Sequence, residues 1–158
     1  MISFLRWTPL LVLFGCAATG PAAKDASAPT LSDDGSFALT RVAESALPAG
    51  KCGMILWTLD ERAPVPIFRY VAGETALVSI NGAAVDLTLA ETRGGGDYGV
   101  FEEQVFVGGA GYDARVVVNF GLGFEGGTYL ERGVITVRSD TGWEIVAPTA
   151  GIAGCRKS

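Results

Sequence analysis

Two short motifs in this sequence have residue types and spacing that could do chemistry. Gly121, Gly123 and Gly126 form a G-x-G-x-x-G pattern, which in a dinucleotide-binding unit places a pyrophosphate on the N-terminus of the following helix. The residues after Gly126 read as a strand, and only 32 residues remain in which to build a βαβ unit. We therefore predict a connection between strands, with no nucleotide site and no cofactor.

The second motif, Asp140-Thr141-Gly142, spells the triplet that carries the carboxyl group of an aspartic protease. In such enzymes two carboxyl groups share one proton, and apolar strand residues surround the triplet. Here it follows Arg138-Ser139. We interpret it as a turn, because aspartate and glycine favour tight connections between strands.

Catalysis by other side chains has little support. The sequence contains no histidine, so a serine triad or a cysteine–histidine pair is excluded. The adjacent carboxylates Asp60-Glu61 and Glu102-Glu103 do not converge if their segments are extended, because neighbouring side chains on a strand point to opposite faces. The alternative function that we retain is a carboxylate-only hydrolase or an aspartic-type protease, for which Glu131 and Asp140 are the residues to substitute.

Two aromatic residues are candidates for binding. Aromatic side chains in strands usually pack in the core, but Tyr112 and Phe124 lie at or next to glycine-rich connections, where side chains often face solvent. We predict a possible binding surface at Tyr112 and Phe124.

The amino end has the pattern of an export signal. Arg6 precedes an apolar run, residues 10–14, that is too short to cross a bilayer as a permanent helix and ends in Gly15-Cys16. Leu13-Phe14-Gly15-Cys16 resembles the lipobox of bacterial lipoproteins, although that family prefers a smaller residue than Phe14. The resemblance implies removal of residues 1–15 and lipid on Cys16, where three acyl chains anchor more firmly than one. The alternative is an ordinary signal peptide cleaved near Ala18.

The same resemblance predicts an address. The second mature residue is Ala17 rather than aspartate, which in enteric bacteria implies the periplasmic face of the outer membrane. The mature chain has 17 acidic and 11 basic residues, a net charge of −6, because Arg6 leaves with the signal. Phosphate backbones and anionic head groups repel such a chain. We therefore expect no nucleic acid partner, a membrane contact only through lipid on Cys16, and a protein or envelope polymer as the possible partner.

A tether and a disulfide are expected next along the chain. Apart from Leu31, residues 16–35 are small, polar or proline, so they cannot offset the entropy of ordering. A flexible segment of this length spans roughly 25 Å. Cys52 and Cys155 remain as an even pair in an oxidising compartment, which favours a disulfide. Two buried free thiols are the alternative, and a zinc site would lack ligands.

Residues 36–158 are expected to form one all-β domain. Apolar residues recur with a period of two from Phe37 onward, which indicates strands. Asn81-Gly82 between two apolar runs is the strongest short hairpin signal, and further turns are predicted at residues 93–97, 108–111, 121–127 and 139–142. The pattern predicts a single antiparallel β-sandwich or β-barrel of about eight or nine short strands, beginning at 37–44 and ending at 143–148.

The resemblances of the domain to other proteins imply no activity. The segments Cys52 to Trp57 and Ala150 to Cys155 resemble those of uncharacterised small lipoproteins of alphaproteobacteria. Lysozyme-inhibitor lipoproteins share the plan of lipobox, tether and disulfide-held barrel, but their Ser-Gly-x-x-Tyr loop is absent from this sequence. We therefore expect a non-enzymatic, lipid-anchored periplasmic module that binds a protein or an envelope polymer.

The amino-terminal prediction can be tested by mass spectrometry of the protein purified from membranes. We expect the mass of residues 16–158 plus a diacylglycerol and an amide-linked acyl chain. Cys16→Ala should move the protein from the membrane fraction to the soluble fraction. An unacylated chain that begins after Ala18 would contradict the prediction.

Overall fold

The computed structural model describes residues 36–59, 63–108 and 110–158, and these form a closed antiparallel barrel. Each strand pairs with the next along the chain, and the last pairs with the first. The expected all-β antiparallel fold is confirmed, and the barrel is the architecture formed. The strands are β1 (Cys52–Thr58), β2 (Pro66–Val71), β3 (Thr75–Ile80), β4 (Ala83–Asp97), β5 (Val100–Gly108), β6 (Tyr112–Phe124), β7 (Gly127–Ser139) and β8 (Glu144–Cys155).

The predictions for residues 1–35, including lipid on Cys16, concern a segment outside the described residues, and the Asp60-Glu61 pair also lies outside them. Within the described part of the chain, no helix has the length and apolarity that a membrane crossing requires.

Alternation of side chains places the core inside the barrel. In β4, Val85 and Leu87 are buried while Asp86 between them is exposed, as the period of two requires. At the centre, the ring of Phe106 packs edge-to-face on Phe68 and Tyr70, with centroids 5.2 Å apart in both pairs. An eight-stranded barrel is just wide enough for its own side chains to fill, so the interior is packed.

Two of the connections between neighbouring strands are two-residue turns in which both residues have positive φ. Asn81 and Gly82 have φ of 49° and 82°, which confirms the predicted hairpin between β3 and β4. The turn predicted at residues 93–97 is wrong. That segment continues β4, and the chain turns instead at Tyr98 and Gly99, with φ of 54° and 75°.

The meander gives the barrel two distinct ends. The disulfide end carries the start of β1, the end of β8 and the turns β2–β3, β4–β5 and β6–β7. The opposite end carries the turns β3–β4, β5–β6 and β7–β8. The position of a functional residue can therefore be given by its strand and by the end of the barrel at which it lies.

A disulfide closes the ladder between β1 and β8. Cys52 and Cys155 are register partners with Cα atoms 3.9 Å apart, and the structure joins them as predicted. Glycine allows the strands to approach closely here, because a Cβ at Gly151 would overlap the carbonyl oxygen of Ile55. β8 thus continues to Cys155 and does not end at residue 148 as the sequence predicted.

Residues 36–50 form a strap on the barrel rather than the strand predicted at 37–44. Only Leu39 makes a bridge, to Ile80 at the end of β3. Phe37 is buried at the opposite end, with its ring edge-on to Tyr112 at 5.3 Å. The strap then runs toward the disulfide end, where Gly50 donates its N–H to the carbonyl oxygen of Arg156.

Removing the disulfide should destabilise the barrel without changing its fold. Replacing Cys52 and Cys155 together by serine frees a loop of 103 residues, and we expect the free energy of unfolding to fall by about 2–4 kcal/mol. Urea unfolding followed by tryptophan fluorescence measures this change. Wild-type protein with reductant serves as the control and should match the double variant. A change below about 0.5 kcal/mol would show that β1–β8 pairing does not depend on the bond.

Candidate functional site

The outward side of β8 is apolar along most of its length. Its inward positions Thr149, Gly151 and Ala153 are buried. The five outward positions that alternate with them carry no polar side chain: Val146, Pro148, Ala150, Ile152 and Gly154. Val146 is 58% exposed. An amphipathic strand normally puts polar residues on its outer side, so this strand departs from the rule over nine residues.

Neighbouring strands extend this surface on both sides of β8. On β1, Ile55 pairs with Ile152, and Trp57 pairs with Ala150. On β7, Tyr129 pairs with Ile152 on its other side. We call this set of outward side chains, together with Val134 and Phe124, the β8 face. Contiguous apolar surface of this kind marks an interaction site more often than scattered exposed apolar residues do.

A groove of about 260 Å³ indents the β8 face at the disulfide end. Leu47 of the strap, Ile55, Phe124 and Ile152 line it, and the backbone of Gly154 and Cys155 forms part of its wall. Leu47 packs with Ile55, Val71 and Trp57 in a small apolar cluster outside the barrel. The strap therefore builds one wall of the groove and the β6–β7 hairpin builds the other.

Two aromatic rings stand on the hairpin side of the groove. The centroids of Phe124 and Tyr129 are 5.1 Å apart, with the ring planes tilted by 54°. Phe124 is 40% exposed and Tyr129 is 51% exposed. Each ring limits the motion of the other, so the pair offers a rigid apolar surface that loses little entropy when it is covered.

Charged groups lie at the margin of the groove and are partly neutralised. Arg156 donates from Nη1 to the carbonyl oxygen of Leu47 at 2.8 Å, which fixes the strap against the end of β8. Lys157 lies 2.7 Å from the carboxylate of Glu125 in the β6–β7 turn, and both side chains are more than 80% exposed. Such an exposed pair contributes little to stability. Apolar groups therefore form the floor of the groove.

Of the two residues predicted to form a binding surface, one is exposed and the other is buried. Phe124 does lie at the surface, on the wall of the groove. Tyr112 is 5% exposed and packs on Phe37 in the core, so its predicted place at a binding surface is wrong. The glycines before Tyr112 indicate a turn, but its position at the start of β6 points its side chain into the barrel.

The strap also covers Arg69 of β2, a strand that is paired on both sides in the closed barrel. The side chain of Arg69 is 17% exposed, its Nη1 lies 3.6 Å from Glu44, and it donates to the carbonyl oxygen of Ala46 at 3.3 Å. Arg69 therefore holds the strap to the barrel wall.

The candidate acid–base carboxylates are held in separate places. Glu103 lies 3.0 Å from Arg115 and 3.4 Å from Arg93, and the hydrogen bond from Arg115 holds the pKa of Glu103 below its usual value. Glu102 accepts from the backbone N–H of Gly95 instead. Asp140 lies in the β7–β8 turn, at the opposite end. Among the described residues, no three acidic or cysteine side chains are grouped to hold a metal ion.

Sequence reasoning missed most of the β8 face. The segment from Thr149 to Gly154 is rich in alanine and glycine, residues with low β-propensity, so the sequence pattern predicts no strand beyond residue 148. The signal that could have found the face is the lack of any charged residue between Glu144 and Arg156.

Comparison with protein-family models, with curated proteins and with solved structures finds no match to this chain. The fold and the site therefore rest on the residues alone.

The burial of Tyr112 predicts a loss of stability in alkali. Burial, with a smaller effect of the nearby Asp140 carboxylate, raises the pKa of Tyr112 above 10.0. Above that pH the phenol ionises first in the unfolded chain, so stability should fall as pH rises from 10.0 toward the folded-state pKa. Tyr112→Phe should flatten this fall in unfolding curves measured from about pH 8 to 12. Tyr129→Phe is the control at an exposed ring, and an equal flattening there would contradict the assignment.

Proposed function

We propose that this protein is a non-enzymatic, lipid-anchored module of the bacterial envelope, and that its β8 face binds a partner protein. The observation that carries the proposal is the run of five outward β8 positions without a polar side chain, beside the exposed rings of Phe124 and Tyr129. The resemblance of Leu13-Phe14-Gly15-Cys16 to a lipobox supports the lipid anchor and the location in the envelope.

The composition of the β8 face favours a protein over a polymer. Protein interfaces are depleted of charge at their centre and enriched in aromatic residues, and this face has both properties although the whole chain has a net charge of −5. A sugar polymer needs hydrogen-bonding side chains around the stacking rings. Here Leu47, Ile55 and Ile152 line the groove beside Phe124. The two charged side chains at its margin, Glu125 and Arg156, are already engaged by Lys157 and by the carbonyl oxygen of Leu47.

The rigid parts of the face suit it to hold a partner side chain. The groove of about 260 Å³ lies between the strap and the β6–β7 hairpin, and its walls are fixed by Arg156 on one side and by the Phe124–Tyr129 pair on the other. A buried apolar anchor in a preformed pocket is the usual centre of binding energy in an interface. We infer that the partner inserts one apolar side chain here.

Cross-linking in the native host tests the proposal. A photo-reactive amino acid in place of Tyr129, in the full-length protein, should give a discrete adduct with another protein, whereas the same group at Thr88 should not. Thr88 is an exposed residue of β4 and serves as the matched control. Equal labelling at both positions, or no adduct at Tyr129, would overturn the proposal, and an adduct with a second copy of this chain would replace the partner protein with self-association.

A charge on the β8 face should abolish binding without unfolding the domain. Val146→Asp should remove the adduct formed at position 129, because an unpaired carboxylate would be desolvated in the interface. Both Val146→Asp and the control Thr88→Asp should change the free energy of unfolding by about 0.5 kcal/mol or less, since both positions are exposed. An adduct that survives Val146→Asp would place binding elsewhere.

A further inference from the structure

The barrel wall is split between β5 and β6 toward the disulfide end. Their ladder contains five pairs and stops at Glu103 with Val117. β5 nevertheless continues to pair with β4 as far as Val100, and β6 continues to pair with β7 as far as Phe124. Beyond the last β5–β6 pair, the described residues thus form two separate hairpins, which we call the distal hairpins, residues 91–103 and 118–132.

Each distal hairpin presents a strand edge to the split. On β6, residues 118, 121 and 122 have no ladder partner on β7, because the register shifts twice, and the carbonyl oxygens of Gly121 and Leu122 accept instead from the hydroxyl of Thr128. Leu122 is 77% exposed. An unpaired edge of this kind is a template for an added strand.

On β5, the side chain of Gln104 accepts a hydrogen bond that the backbone of a paired strand would otherwise accept. Phe101 donates its backbone N–H to Oε1 of Gln104 at 3.2 Å. A strand N–H points toward one neighbour only, so this N–H faces away from β4 and toward the split. Gln104 occupies the place where a carbonyl oxygen of a paired strand would accept.

The amide of Gln104 is itself incompletely paired. The residue is fully buried, and its Nε2 has no hydrogen-bond partner among the residues that the structure describes. A buried amide donor left without an acceptor destabilises the folded protein, because it loses its hydrogen bond to water. Because Gln104 pairs with Val116, one position inside the last pair of the ladder, this donor lies at the closed end of the split, where an entering strand would bring a carbonyl oxygen.

The charge around the split favours a basic strand over an acidic one. The distal hairpins carry six acidic residues and two basic ones, and Arg115 and Lys157 from outside them pair with Glu103 and Glu125, which leaves a net charge of −2 around the split. The acidic residues are Glu91, Asp97, Glu102, Glu103, Glu125 and Glu131, and the basic ones are Arg93 and Arg132. A second copy would bring the same charge to the same edges and be repelled, whereas a basic segment is attracted.

We propose that the split between β5 and β6 binds an extended, basic peptide segment of a partner protein, which adds a strand to the free edge of β6 and gives a carbonyl oxygen to Gln104. This site shares the β6–β7 hairpin with the β8 face but uses the edge of β6 that faces β5, so the absence of an adduct at Tyr129 would not contradict it. Backbone hydrogen bonds supply the affinity, and the acidic hairpins supply the preference for lysine or arginine.

Hydrogen–deuterium exchange of the full-length protein in detergent micelles tests this site. The probe is a capped octapeptide of alternating lysine and valine. We expect saturable slowing of amide exchange in segments 118–122 and 100–104, with the rest of the barrel, including Phe124 in the wall of the groove, unchanged. The same peptide methylated on alternate backbone nitrogens keeps its charge but cannot extend a ladder, and a glutamate-for-lysine peptide keeps the ladder but reverses the charge. Neither should protect these segments.

Two lysine substitutions provide the matched variants. Asn119→Lys adds a positive charge on β6 beside the split, and Thr88→Lys adds the same charge on an exposed position of β4. Asn119→Lys should weaken peptide binding by up to about fivefold, and Thr88→Lys should leave it unchanged. Equal binding of the methylated peptide, protection outside the two segments, or no saturable protection overturns the proposal. Protection that grows with protein concentration without peptide would assign the split to a second copy and would also overturn it.

Discussion

The pairing of β1 with β8 is the constraint on which the rest of the molecule depends. Seven register pairs, from Cys52 with Cys155 to Thr58 with Thr149, turn a linear meander into a closed wall. Closure removes the two edges that a sheet would otherwise expose and encloses the aromatic core around Phe106. The disulfide holds the first of these pairs, and Gly151 allows the backbones to approach. The β8 face exists because β8 is a central strand between β1 and β7.

Unequal strand lengths divide the barrel into two halves with different surfaces. β1 to β3 have six or seven residues each, whereas β4 has 15 and β6 and β7 have 13. The strap covers the short strands, held by Arg69 and Arg156 through backbone carbonyl oxygens. The long strands run past their neighbours instead, and β5 and β6 part where their ladder ends. Groove and split are therefore two consequences of one mismatch in length.

The sequence predicts the class of this fold better than its details. Alternation of apolar residues and the Asn81-Gly82 turn identify the strands, since both are local signals. Glycine is an ambiguous signal: Gly94 to Gly96 continue β4, and the chain turns at Tyr98, whose positive φ no local pattern announces. The predicted exposure of Tyr112 is wrong for the same reason, because the adjacent glycines give no information on whether the next side chain points into or out of the barrel. The burial of Arg69 depends on a strap 23 residues away, and the split depends on a register that only the closed barrel sets.

The entry point of the strap has a mechanical consequence. Phe37 inserts at the end of the barrel that carries the β3–β4, β5–β6 and β7–β8 turns. A force applied to the strap from its amino-terminal side would therefore act on this end of the barrel. The hairpin tips formed by Tyr98-Gly99 and Glu125-Gly126 lie at the other end, farthest from the point at which that force enters the fold.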